Sequence, residues 1–295
     1  MDLRYGIGGI VVSLAGEQTV QCDNLGTFPK FHTEAPPCVE FTVRYGAIPS
    51  VEVSKPTFSS EGSWTLYRTD KGWQVALRSP VLGDEPHQLG TFASDFRSGI
   101  LDILPWTDSV GHVHQTFPLA YPMGEILIIN LLSQGLGVLV HGCGVAIGED
   151  QGILFSGTSG AGKSTIASIW AKQPGVEVLS DDRVIIRCDG DGLWMYGTPF
   201  HGTAGYASPR AIPLKNIFFL EHAKRNVIRP VTPTEAIAQL LVRSFPPFWD
   251  REGMDFTLQA LERLSQSIEC YDLEFVPDTS VISIVLDNLH STNHS

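Results

Sequence analysis

The chain has 295 residues, 43% of them hydrophobic and 18% charged, a globular composition with no long apolar run and room for one large domain or two smaller ones. Twenty basic against thirty-two acidic residues give a net charge of −12, which argues against a nucleic acid backbone or an anionic membrane as a partner. Cys22, Cys38, Cys143, Cys188 and Cys270 are odd in number and scattered, and no C-x-x-C spacing occurs; this predicts reduced thiols in a cytoplasmic protein.

The N-terminal stretch "YGIGGIVVSLAG" lacks a basic leader, because Asp2 offsets Arg4, and reads as a buried first strand rather than a secretory signal. Up to residue 118 the texture is β-rich. "FTVRY" and "WTLYRTDKGWQVAL" alternate apolar and polar residues, and Asp70-Lys71-Gly72 forms a hairpin turn. The "HVH" at 112–114 has no third ligand at a suitable spacing and reads as polar strand or loop residues. From 119 the pattern changes. "MGEILIINLLSQG" has helical spacing and ends on glycine. "GVLVHGCGVAI" and "GILFSG" are two strands joined by a short turn, so they can pair antiparallel.

The second strand runs into Gly157-Thr158-Ser159-Gly160-Ala161-Gly162-Lys163-Ser164, which fits G-x-x-x-x-G-K-[ST], and Thr165 continues into the helix "KSTIASIWAKQ". Glycines at this spacing let successive N–H groups face phosphate oxygens, and the helix adds its positive end. Lys163 is expected to reach the β- and γ-phosphates and Ser164 to offer its hydroxyl to Mg²⁺. Asp181-Asp182 follow Lys163 after one helix and one strand, "VEVLSDDRVIIRC". Two carboxylates there suit two tasks, one on the metal and one accepting a proton from an attacking hydroxyl. His141 is a structural histidine or a third active-site group, which the antiparallel pairing brings toward the phosphates.

Further along, "DGDG" at 189–192 is a hairpin turn and "IFFL" a buried strand. "GTPFHGTAGY" (197–206), with His201, is either a surface loop or a mobile segment closing over phosphates. Of Arg183, Arg187 and Arg210, one is expected to meet the charge that builds up in transfer, with Arg210 preferred. "TPTEAIAQLLVRSF" opens with a helix start, "FPPFW" (245–249) packs a helix end or takes a peptide, and helices follow near 256–268 and 279–290. The tail "HSTNHS" reads as frayed.

From His-Gly through "GILFSGTSGAGKSTIA" to "VLSDD", residues 136 to 225 resemble the catalytic core of the HPr kinase/phosphorylase family. The resemblance implies an α/β (α+β) fold: a P-loop catalytic domain like that of HPr kinase and of phosphoenolpyruvate carboxykinase, over 119–295, preceded by a β-rich N-terminal domain, 1–118. It further implies ATP as the donor, His141 and Lys163 as active-site residues, Ser164 on Mg²⁺, and Asp182 as the acceptor of the substrate's hydroxyl proton.

Two departures stand out. The family's downstream acidic Glu-x-Arg-Gly has no counterpart, since no Glu or Asp lies between Asp191 and Glu221. The second metal ligand is thus missing or supplied from elsewhere, with Asp181 the candidate. The phosphorolytic segment is also unrecognisable, so kinase activity alone is expected. "GTSGAGKST", "LSDDR" and "GTPFHG" are similar to stand-alone relatives that include kinases of lasso-peptide precursors. These imply a serine hydroxyl of a peptide or small protein as acceptor, with substrate recognition assigned to residues 1–118. Homo-oligomerisation stays open, as do two alternatives: a P-loop kinase for a small metabolite, and a nucleotide-binding regulatory module without transfer chemistry.

Overall fold

The computed structural model describes residues 2–16, 25–53, 55–60, 62–80, 82–190 and 192–292. Cys22, Asp191 and the last three residues of the tail lie outside them. The chain divides into two compact units, 1–134 with 247–251, and 135–246 with 252–295. The change of texture placed near 118 therefore precedes the division, and the helix that follows it belongs to the first unit.

In the first unit the strands are β1 (Asp2–Ile7), β2 (Ile10–Gly16), β3 (Val39–Tyr45), β4 (Phe58–Ser60), β5 (Trp64–Thr69), β6 (Gly72–Ser79), β7 (Gly83–Ala93) and β8 (Ser98–Ile103). They form one sheet in the order β1-β2-β3-β8-β7-β6-β5-β4. The N-terminal stretch expected to be a single strand is a hairpin instead, because Gly8 and Gly9 take positive φ and turn the chain between β1 and β2. A ribbon of β9 (Trp106–Thr107) and β10 (Val113–His114) holds the "HVH" residues, and Asp108 lies 3.1 Å from His114 Nε2 and 3.4 Å from His112 Nδ1. Helix α1 (Met123–Leu132) is buried almost all round. Its one deeply buried amide, Asn130, donates to Ile126 O at 2.7 Å and accepts from Trp249 Nε1 at 3.0 Å. Trp249, from "FPPFW", also packs with Phe58 and Trp64.

The second unit comprises β11 (Val138–Ile147), β12 (Gln151–Ser156), α2 (Lys163–Trp170), β13 (Val176–Ser180), β14 (Arg183–Asp189), β15 (Gly192–Tyr196), β16 (Ala211–His222), β17 (Val227–Pro230), α3 (Pro233–Leu241), α4 (Arg251–Ser267), β18 (Glu269–Phe275) and α5 (Ser280–Thr292). The expected antiparallel pairing of β11 with β12 is present, with Gly142 opposite Ser156. β11 and β16 are long enough to serve two sheets. The outer half of β11 pairs with β14, and its inner half with β12 and β13. β16 pairs first with β15, then parallel with β12 and β18. The ladders β11-β14-β15-β16-β12-β11 thus close into a circuit.

Successive side chains on a strand face opposite ways, and the core follows that parity. Val145, Ile153, Phe155, Phe218, Leu220 and Leu273 face one layer, with Ile166, Trp170, Val281 and Val285 of α2 and α5. Leu154, Ile217 and Phe219 face the other, with Ala236, Leu240, Leu261 and Leu264 of α3 and α4. The result is a sheet covered by helices on both faces, as parallel strands require. The helix start read at 232–234 is a full capping box: Glu235 N–H donates to Thr232 Oγ1 and the Glu235 carboxylate accepts from Thr232 N–H. No described helix is long and apolar enough to cross a membrane. Cys38, Cys143, Cys188 and Cys270 are unpaired.

Phe155 stacks on Phe218 (5.6 Å), meets the tilted ring of Trp170 (5.7 Å) and is fully buried. Phe155→Ala is expected to cost about 3–5 kcal/mol in a urea titration, whereas Thr232→Ala, which removes only the cap, costs about 1 kcal/mol.

Candidate active site

β12 delivers the glycine-rich loop at the centre of the second unit, and α2 starts immediately after it. Gly162, the residue before the helix, has φ +97°, and a Cβ there would lie 2.5 Å from Phe275 Cζ and 2.9 Å from His222 Cε1. Only glycine satisfies both the backbone sign and the space. The loop's apex, Thr158, Ser159 and Gly160, is exposed, and Ser164 sits in the first helical turn. No acidic residue occupies that turn, so the helix presents its positive end uncompensated. Lys163 is 7% exposed, and Nζ donates to Gly157 O and Thr158 O, both at 2.8 Å. Burial pushes its ammonium below the ordinary lysine value, while the Asp182 charge pulls the other way.

The aspartate pair breaks one strand expectation into two strands. β13 ends at Ser180 and β14 begins at Arg183, both laid along β11, with Asp181-Asp182 at the break. Ser180 Oγ accepts from the N–H groups of Asp182 (3.3 Å) and Arg183 (3.2 Å), which holds that break. Gly142 N–H donates to Asp182 O at 2.9 Å, and Ser156 Oγ donates to His141 O at 2.9 Å. His141, the end of β12 and the aspartate pair are therefore tied together by backbone.

The two carboxylates face different surroundings. Asp182 Oδ1 lies 3.1 Å from His141 Nδ1, Asp182 Oδ2 accepts from Arg183, and Arg183 lies 3.3 Å from His141 Nδ1. Burial alone would raise the Asp182 carboxyl. The hydrogen bond from His141 and the charges of Arg183, His141 and Lys163 outweigh it and hold Asp182 below its ordinary value of 3.8. Asp182 is thus an ionised acceptor within electrostatic reach of the loop lysine. Asp181 is 1% exposed and commits both oxygens to the 197–206 segment: Oδ1 accepts from Gly202 N–H (3.0 Å) and Oδ2 from Ala204 N–H (2.9 Å). Both oxygens of Asp181, the carboxylate expected on the metal, are thus taken up by backbone N–H groups.

The arginine expectation also changes. Arg210 pairs with Glu177 (3.2 Å) and Glu149 (3.1 Å) and reaches Gly148 O. Gly148 and Glu149 lie in the turn entering β12, and Glu177 on β13 opposite Ala146 near that same turn, whereas the glycine-rich loop leaves the other end of β12. Six strand residues at about 3.3 Å each separate them, roughly 20 Å. The arginine that does reach the aspartate is Arg183, its guanidinium 4.5 Å from the ring centre of Phe245. Phe245 comes from the "FPPFW" cluster. The backbone 243–245 lies along β11, with His141 N–H donating to Arg243 O at 2.6 Å and Phe245 N–H to Leu139 O at 3.0 Å.

The sequence analysis reaches Phe245 only as part of the "FPPFW" cluster, with no link to the aspartate pair, and does not reach His222. His222 Nε2 lies 3.1 Å from Gly160 O, and its ring stacks on Phe275. For His222 the available signal was its place at the end of the buried "IFFL" strand, parallel to the strand that feeds the loop. His201, in contrast, is exposed and contacts Gly202 O.

No family model matches this sequence, and no curated protein matches it. Among solved structures, the HPr(Ser) kinase/phosphatase from Coxiella burnetii is similar over 53% of this chain and 96% of that one, at 10% sequence identity and a TM-score of 0.30.

Arg210→Ala is expected to leave the affinity for a fluorescent ATP analogue within about twofold in a titration, whereas Lys163→Ala weakens it by about tenfold or more. Because the folded Asp182 value is depressed, its contribution to stability is present above about pH 3.8 and is lost as pH falls through the lower folded value. Asp182→Asn should accordingly flatten the acid limb of unfolding free energy against pH, measured by urea titration.

Proposed function

We propose that this protein is an ATP-dependent kinase that transfers the γ-phosphoryl group to a serine hydroxyl of a peptide or small protein. The observation that carries this is Asp182, kept ionised by His141 and Arg183 beside the lysine of a phosphate loop. A site that only bound nucleotide would have no use for an oriented carboxylate there. The resemblance of residues 136–225 to HPr kinase/phosphorylase agrees with it.

The donor set suits magnesium. Among the described residues no group of three His, Cys, Asp or Glu gathers to cage a metal. Mg²⁺ instead takes one or two protein oxygens together with substrate phosphates and water, and the Ser164 hydroxyl, in the first turn of α2, would be the protein oxygen here. When bound, the ion would offset charge on the β- and γ-phosphate oxygens.

The chain's own residues do the rest. The loop N–H groups and the α2 N-terminus bind the phosphates, and Lys163 exchanges its two carbonyl partners for phosphate oxygens. His141, with its proton on Nδ1, donates to Asp182 Oδ1 and fixes the carboxylate's orientation. The acceptor oxygen bonds to the γ-phosphorus, the bond from that phosphorus to the β-bridging oxygen breaks, and ADP leaves. The hydroxyl proton passes to Asp182. Arg183, which pairs with Asp182 and whose charge is felt at Lys163, would offset charge at the transferring group.

The test is transfer from γ-labelled ATP with Mg²⁺ to host extract and to small peptides encoded beside the gene. An acid-stable labelled band is expected with wild type and is lost with Lys163→Ala and with Asp182→Asn. Tight ATP binding with no label in any fraction would refute the kinase assignment and leave a nucleotide-binding module.

A further inference from the structure

The charge at Asp181 has no part in the chemistry above, yet it is among the most buried carboxylates in the protein, at 1% exposure. Its surroundings account for it. Residues 202–205 form a turn, with Gly205 N–H on Gly202 O at 3.3 Å, and that turn wraps the carboxylate so that Gly202 and Ala204 both donate inward. Two backbone N–H groups converging on one anion make a small nest, here filled by a side chain of the same protein. Gly202 is held to glycine by this packing, since a Cβ would lie 2.9 Å from Asp181 Oδ2 and 3.2 Å from Asp182 Cβ.

The flanks of the turn are tied to the same strand break. Thr198, fully buried, donates from Oγ1 to Arg183 O at 2.7 Å, and Ser208 N–H donates to Leu179 O at 2.9 Å. The segment is thus pinned at both ends and in the middle. In this conformation it forms a wall beside Asp182, with Gly202 packed against that residue. No charged residue occurs from Gly192 to Pro209, so this wall is electrically neutral, with His201, Thr203 and Gly205 exposed upon it.

We propose that Asp181 is a positioning residue, the anionic template on which 198–205 folds, and that the neutral wall so formed meets the acceptor next to its reacting hydroxyl. Resting on the kinase assignment, this names the acceptor's character: the hydroxyl arrives on an uncharged stretch, as in a serine flanked by small neutral residues. A phosphorylated metabolite would need a cation there.

Three measurements test it in the full-length protein. Chymotrypsin cleavage after Phe200 or Tyr206 should quicken by about tenfold or more in Asp181→Ala and in Gly202→Val, which crowds the turn but keeps the carboxylate. Circular dichroism checks that the rest of the fold persists. The Mg²⁺ concentration needed to bind fluorescent N-methylanthraniloyl-ATP should stay within about twofold of wild type in both variants. In extract labelling, Thr203→Glu should cut transfer by about tenfold while analogue binding is unchanged. A Mg²⁺ requirement raised about tenfold in Asp181→Ala alone, with cleavage unchanged, would make Asp181 a metal ligand and overturn the template. Undiminished labelling by Thr203→Glu would place the acceptor elsewhere. If wild type labels nothing, the kinase assignment fails, and the cleavage experiment still decides what Asp181 does.

Discussion

One strand, β11, makes the site possible. It changes neighbours halfway, giving its outer half to β14 and its inner half to β12 and β13. The switch falls at His141-Gly142. There the Gly142 N–H bonds the Asp182 carbonyl and the His141 carbonyl accepts from Ser156. A residue pair on one strand is thereby linked to the end of the loop-feeding strand and to the aspartate pair, which lie far apart in sequence. A Cβ at Gly142 would sit 2.5 Å from Leu154 Cδ1 and 3.1 Å from Phe155 O, so the glycine is part of this junction rather than a spacer. Loss of the junction would leave the glycine-rich loop intact but without its partners.

The electrostatics follow from that placement. Asp181 and Asp182 are adjacent in sequence, yet their carboxylates meet different partners. The structure separates their duties. One carboxylate turns inward and is satisfied by peptide N–H groups. The other faces His141, Arg183 and Lys163, and its charge is sustained by theirs. The aromatic face of Phe245 packs on the Arg183 guanidinium, a contact beside the ionic one to Asp182.

What could be read from the sequence was whatever is encoded locally. The strand, glycine-rich turn and helix at 151–170, the β5–β6 turn at Asp70-Lys71-Gly72 and the Thr232 cap are each fixed by residues a few positions apart, and all three occur where expected. The glycine pair at 8–9 was local too, but its turn was hidden inside an apolar stretch that reads equally well as one strand. Arg210 and Phe245 were beyond reach for a different reason. Their roles depend on which end of a strand they lie beside, and only the register of β12 against β16 and the course of 243–245 along β11 decide that. Asp181 and Asp182 are the same residue type in tandem, and only the backbone path distinguishes the one that is buried.

The closed circuit of ladders through β11, β14, β15, β16 and β12 bears on how the second unit comes apart. In an open sheet an outer strand can peel away while breaking one row of hydrogen bonds. Here none of the five can leave without breaking two, so fraying is confined to strands outside the ring, such as β17 and β13, which are short. β12 and the loop it carries belong to the part that opens only in concert. The loop's geometry is therefore kept by the cooperativity of the whole unit, and a defect in β15, on the far side of the ring, would be felt at the phosphate loop as a loss of persistence rather than a change of shape.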